Sequence, residues 1–175
     1  DAVVVTHTHS DHSPAAAPLA ARLGVPLLGR LPGDRLYQDV SFTPTRSVED
    51  GDEVPTDLGV LRAITTPGHA SNHVCWHLPS LGYVCTGDHV LGSVSPVIVH
   101  PDGDLTAYLQ SLDKVKALRP SALLPGHGPV VTDPDAVIDD IAQGHPGAGF
   151  VRREIVHLHV ALVAKDQPPE RRPHA

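Results

Sequence analysis

Four potential metal ligands fall within six residues, His7-Thr8-His9-Ser10-Asp11-His12, directly behind the β-branched run DAVVVT at 1–6. Such a run suits a fully buried strand, so the chain has to fold with this segment inside and a polar, histidine-rich segment at its end. On an extended segment, residues two apart point to the same side, which lets His7, His9 and Asp11 converge. His12 then points elsewhere and could serve a second centre. Imidazole and carboxylate are ligands suited to zinc or iron. A merely polar loop is the alternative, and the density of ligands argues against it.

The remaining pattern is that of a layered domain. After the cluster, Ser13 and Pro14 are the expected N-cap and first residue of a small-residue helix, AAAPLAARLG at 15–24, which Gly24 ends. Residues 25–28 read as the next strand, and strand, loop, helix, strand favours a sheet with helices packed on it. Residues 29–58 form a long excursion rich in Pro, Gly and Asp, with weak strands. A strand at 59–66 runs into Pro67-Gly68-His69, and a hairpin follows over 73–78 and 82–86. Helical spacing marks 105–118, with Asp104 as its N-cap, and a strand at 121–125 leads into Gly126-His127-Gly128. Residues 133–143 and 150–165 are predicted helices. The expected domain covers 1–165, and 166–175 is expected to be a disordered tail.

Composition excludes several classes. The 13 Lys and Arg against 20 Asp and Glu give a net charge of −7, so no basic field is present to hold nucleic acid through its phosphates. The 41% of hydrophobic residues is enough for a core. No apolar run approaches the roughly 20 residues needed to span a bilayer. The chain contains no Met and opens on Asp1, which reads as a piece of a longer protein; with no leader visible, a cytoplasmic location is expected. The hairpin would set Cys75 and Cys85 opposite each other. Disulfides between adjacent paired strands are strained, so two free, non-catalytic thiols are expected.

Histidine occurs 13 times, as often as Lys and Arg together. Three further candidate ligands stand at strand ends: His69 in TPGHASNH, Asp88 in TGDHV and His127 in PGHGP. A glycine precedes each, allowing a sharp turn and a close approach. With the first cluster they make five His and two Asp, sufficient for two adjacent metals.

HTHSDH, PGHASNH, TGDHV and PGHG, in this order over 1–139, resemble the metallo-β-lactamase fold superfamily of binuclear metal hydrolases. The wider context, TPGHASNHVCW, TGDHVLG, PDGDLTAYLQSL and LLPGHGPVV, is similar to its beta-lactamase-like protein 2 branch. The resemblance implies an α/β (α+β) fold, an αββα sandwich with the metals at one edge between the two sheets. The strands that normally precede HxHxDH are missing from this chain. By motif, His7, His9 and His69 would hold the first metal, Asp11, His12 and His127 the second, and Asp88 would bridge them. Two Zn2+ per chain are implied, with iron or manganese as alternatives. Hydroxide formed between the two metals would attack an ester, thioester, lactam or phosphodiester, with Asp11 as the catalytic residue that orients it.

His73, four residues after His69, would stand behind the ligands or face substrate, and His89, Ser71 and Asn72 could line the site. The expected partner is a small-molecule substrate, with no membrane association and the oligomeric state left open. RNA is the second candidate, helped by a local patch of Arg152-Arg153 and Arg171-Arg172. Alternatives on the same fold are an RNA-processing endoribonuclease, an iron-dependent persulfide dioxygenase or an inactive metal-binding fragment. The other histidines (77, 100, 145, 157, 159 and 174) are expected to be packed or solvated.

Overall fold

Alternation along the first strand sets the layers. β1 (Ala2–Val4) sends Ala2 and Val4 to one side and Val3 to the other, where Val5 beyond the strand end joins it. Val3 and Val5 pack with Ala16 and Ala20 of helix α1 (Ala16–Leu23), with Leu27 and with Phe42. Ala2 and Val4 face a second sheet and share its buried cluster with Trp76, Leu61 and Val74. The computed structural model describes residues 1–144 and the strand Val163–Ala164.

β1 pairs in parallel with β2 (Leu27–Gly29), which pairs in parallel with β3 (Arg46–Ser47). The second sheet is an antiparallel run of β4 (Glu53–Thr56), β5 (Gly59–Thr65), β6 (Val74–Leu78) and β7 (Tyr83–Gly87). It ends in β8 (Ala122–Pro125), which lies parallel to β7. Its outer face is covered by α2 (Leu105–Ala117) and α3 (Pro134–Ala142), through Tyr108, Leu112, Val115 and Ile138. Helix, sheet, sheet, helix is the αββα order. The two sheets are also joined by polar contacts, because Trp76 Nε1 donates to the Val5 carbonyl at 3.2 Å and Val74 N to the Thr6 carbonyl at 2.7 Å.

Several local expectations are corrected. Ser13 is not the cap of α1: Ala15 occupies that position without a side-chain cap, and the Ser13 hydroxyl donates to Asp39 at 2.8 Å. Gly24 does end the helix, at a left-handed φ of +67°. Asp104 caps α2 by accepting from Ala107 N. The hairpin register is offset by one residue, pairing Trp76 with Cys85 and Cys75 with Ile64. The two free cysteines therefore lie on opposite faces of the sheet, Cys85 between the sheets and Cys75 under the helices.

Val163–Ala164 forms β9, antiparallel to β1, where a helix over 150–165 was expected; the open edge of β1 supplies main-chain partners that a helix could not use. The rest of that predicted helix, the tail, the four Arg of the basic patch and His145, His157, His159 and His174 lie outside the described residues. Among the described residues, no helix is long and apolar enough to cross a membrane.

Candidate metal centre

β5, β7 and β8 run in one direction, so their carboxyl ends deliver His69, Asp88 and His127 to a single edge of the second sheet. The segment leaving β1 brings the histidine cluster to the same edge. Two of the preceding glycines serve different purposes. Gly87 adopts φ +49°, a left-handed conformation that side chains rarely take. Gly126 provides space, since a Cβ there would stand 2.7 Å from Asp88 Oδ1 and 2.8 Å from His12 Cε1.

The cluster is not extended throughout. His9 pairs with Gln38 in a single antiparallel bridge, and the chain then turns, with His12 N donating to the His9 carbonyl at 2.9 Å. This turn separates Asp11 from His7 and His9, which corrects the convergence expected of an extended segment. The potential ligand atoms instead gather in three overlapping groups: His7, His9 and His69; His7, His12 and Asp88; and Asp11, His12 and His127. Within each group they lie within 4.8 Å of one another. His9 Nδ1 is 3.0 Å from His69 Nε2, and His12 Nε2 is 3.1 Å from His127 Nε2. Asp11 Oδ2 is 3.2 Å from His127 Nε2. Asp88 faces both sides: Oδ1 lies 3.3 Å from His12 Nε2, and Oδ2 lies 3.7 Å from His69 Nε2.

These residues suit a metal. Nitrogen ligands of a tetrahedral ion with bonds of about 2.0–2.1 Å stand about 3.3 Å apart, close to the spacings here. His7 Nε2 is buried and makes no hydrogen bond within the described structure, a costly state for a polar atom that a cation would relieve. Burial lowers the basicity of His7 strongly and of His9 and His69 as well, leaving neutral imidazoles with lone pairs to offer. Burial pushes the Asp88 carboxyl up, but the facing rings of His12, His69 and His127 outweigh this and hold it below the usual carboxylate range. The Val97 carbonyl accepts from His69 Nδ1 at 2.6 Å, which fixes the tautomer and turns Nε2 inward.

His73 is fully buried, with its ring stacked 5.0 Å from His7 and Nδ1 2.8 Å from the Thr66 hydroxyl. It stands behind the ligands and touches no open space, so the substrate-facing reading is corrected. His89 lies deeper, against Tyr108, where burial pushes it down to about 4. His77 is buried in β6, away from the group.

A supporting network had no signal in the spacing. Thr8, fully buried between two candidate ligands, donates to Gln38 Oε1 at 2.7 Å and accepts from Asn72 Nδ2 at 2.6 Å. Gln38 Nε2 in turn donates to Asp102, which also accepts from Ser71 N and Asp34 N. Asn72 and Ser71 are thus engaged with protein rather than free to meet substrate. The network ties the loop carrying His7 and His9 to that carrying His69. Beside it, a cleft of about 240 Å3 opens on His9, Asp11 and His69, walled by Leu36, Tyr37, Val97 and Val99.

The family model described as the metallo-beta-lactamase superfamily matches residues 1–127. The atrochrysone carboxyl ACP thioesterase AgnL7 of Paecilomyces divaricatus is 31% identical over 145 residues, 81% of this chain and 42% of that protein. The beta-lactamase-like protein 2 homolog of Caenorhabditis elegans is 31% identical over 143 residues, 79% of this chain and 45% of that protein. The di-iron-bound crystal structure of TTHA1623 superposes with a TM-score of 0.60 at 31% identity, covering 75% of this chain and 71% of that one. The chain spans less than half the length of these two curated relatives. With the fold, the edge-on cluster and the sequence match in agreement, the chain belongs to the metallo-beta-lactamase superfamily.

Proposed function

We propose that this chain is a metal-dependent hydrolase that cleaves acyl thioesters or esters at a two-metal centre. His7, His9 and His69 would hold one cation, Asp11, His12 and His127 the other, with Asp88 between them. The observation that carries this reading is the split Asp88 carboxylate, one oxygen toward each side. Two zinc ions, or iron as in the TTHA1623 crystal structure, would lower the pKa of water and polarise the substrate's carbonyl oxygen when bound.

Asp11 is the exposed carboxylate of the set, with its side chain 61% accessible, and it would orient the attacking water and hold its proton. The water oxygen bonds to the acyl carbon, the C–S or C–O bond breaks, and the proton passes to the departing sulfur or oxygen. An acid and a thiol or alcohol result. A thiol nucleophile is not needed. Burial pushes Cys75 up to about 12 and Cys85 up to about 11, so neither supplies thiolate at neutral pH.

A small acyl substrate is favoured over RNA by the net charge of −7 and by the thioesterase name of the AgnL7 relative. The test is a panel of an acyl thioester, an acyl ester, a lactam and an RNA, offered to zinc-loaded and to chelator-treated protein. Thioester or ester hydrolysis that chelation abolishes and zinc restores is expected. Cleavage of RNA alone, or no turnover with both cations bound, would overturn the reading.

A further inference from the structure

We propose that the cleft beside the candidate metal centre is an acyl-chain subsite, and that Tyr37 and Val97 set its preference for an apolar acyl group several carbons long. This rests on the hydrolase reading above and names the substrate end that the cleft receives. The cleft, about 240 Å3, has lining of two kinds. His9, Asp11 and His69 supply polar groups; Leu36, Tyr37, Val97 and Val99, with exposures of 50%, 67%, 65% and 44%, leave large apolar surfaces open to water. Isolated apolar residues on a surface need no explanation, but four that converge on one cleft mark a binding surface.

Charge decides which ligand the cleft takes. Among the described residues, no Lys or Arg lines it, whereas Asp11 and Asp102 do. A phosphate-bearing group would find no Lys or Arg to pair with beside Leu36, Tyr37, Val97 and Val99, where an uncharged hydrocarbon meets its own kind. Continuity with the ligand cluster then places the acyl carbon next to His9, Asp11 and His69, with the chain running toward Tyr37.

The apolar lining is also built to stay in place. Tyr37 holds a left-handed φ of +64°, rare for a bulky residue. It is kept there by its neighbours: the Asp34 carboxylate accepts from Leu36 N at 2.7 Å, and Gln38 is bonded to both Thr8 and Asp102. On the other side, the Val97 carbonyl is fixed by His69. Chain-length selection would thereby be coupled to the loops that position the ligands.

The experiment uses zinc-loaded protein and acyl thioesters of two to eight carbons, with calorimetric binding of acetate and octanoate measured in parallel. Each buried methylene should raise kcat/KM about fourfold until the cleft is filled. Octanoate should bind at least about tenfold more tightly than acetate. Tyr37→Ala and Val97→Ser should each lower the octanoyl-to-acetyl ratio in both measurements. Thioester turnover that ignores chain length, with octanoate no tighter than acetate, would overturn the subsite and leave the hydrolase reading standing. Selective octanoate binding that Tyr37→Ala removes, with no turnover of any thioester, would support the subsite while the hydrolase reading fails.

Discussion

At the scale of single residues, the site depends as much on what is small as on what coordinates. Gly126 has no side chain because Asp88 and His12 occupy the space a Cβ would take, at 2.7 and 2.8 Å. Gly126→Ala must move one or both, and a displacement of that kind is expected to weaken metal binding by about 10–100-fold. Competition against a chelating indicator measures it, and an unchanged affinity would contradict the placement. The seven candidate donors could be named from the sequence because His and Asp are chemically distinctive residues and these follow apolar strands. Which donors share a group was not legible from local geometry, since the turn after His9 breaks the extended pattern. His73 shows the same limit: its spacing from His69 says nothing of the ring of His7 that covers it.

At the scale of elements, loops do the positioning that strands begin. The 29–58 excursion carried no decodable signature, yet it supplies Gln38 and Asp39, which fasten the histidine loop, and Leu36 and Tyr37, which wall the cleft. Such hydrogen bonds join residues 26 or more apart in sequence and leave no local periodicity. Thr8→Val keeps the volume but strands Gln38 Oε1 and removes an acceptor from Asn72. A loss of about 1–3 kcal/mol in stability is expected by urea unfolding, together with weaker metal binding. Normal values for both would mean that the network does not hold the loop.

Helix α2 is also tied to the second sheet by polar contacts. Lys114 of α2 reaches Asp50 at 2.9 Å and the Thr65 carbonyl of β5 at 2.6 Å. Burial pushes the Asp50 carboxyl up, but hydrogen bonds from Lys114 and Thr65 outweigh it and leave the carboxyl below its ordinary value. A depressed carboxyl stabilises fully above its unfolded value, near about 3.9, and loses that contribution as pH falls through the folded value. Asp50→Asn should therefore lower stability at pH 7 by about 1 kcal/mol or less, both partners being largely exposed. The difference should shrink below about pH 4; a deficit that persists in acid would assign the effect to something other than the carboxylate's charge.

At the scale of the molecule, the αββα order follows from alternation in β1 and from burial of both faces of β6, which the sequence displays as short, largely apolar runs. The strand at Val163–Ala164 was hidden, because its partner β1 lies more than 150 residues away and its own two residues carry no pattern. Among the described residues, one edge of the sandwich gathers the candidate ligands, and the central proposal is that this edge would hold two cations with Asp88 between them. Elemental analysis of protein purified without chelator, for the unaltered chain and for Asp88→Ala, tests it most directly. About two zinc or iron ions per unaltered chain, and fewer in the variant, are predicted. A single ion in the unaltered chain, or two retained in Asp88→Ala, would contradict it.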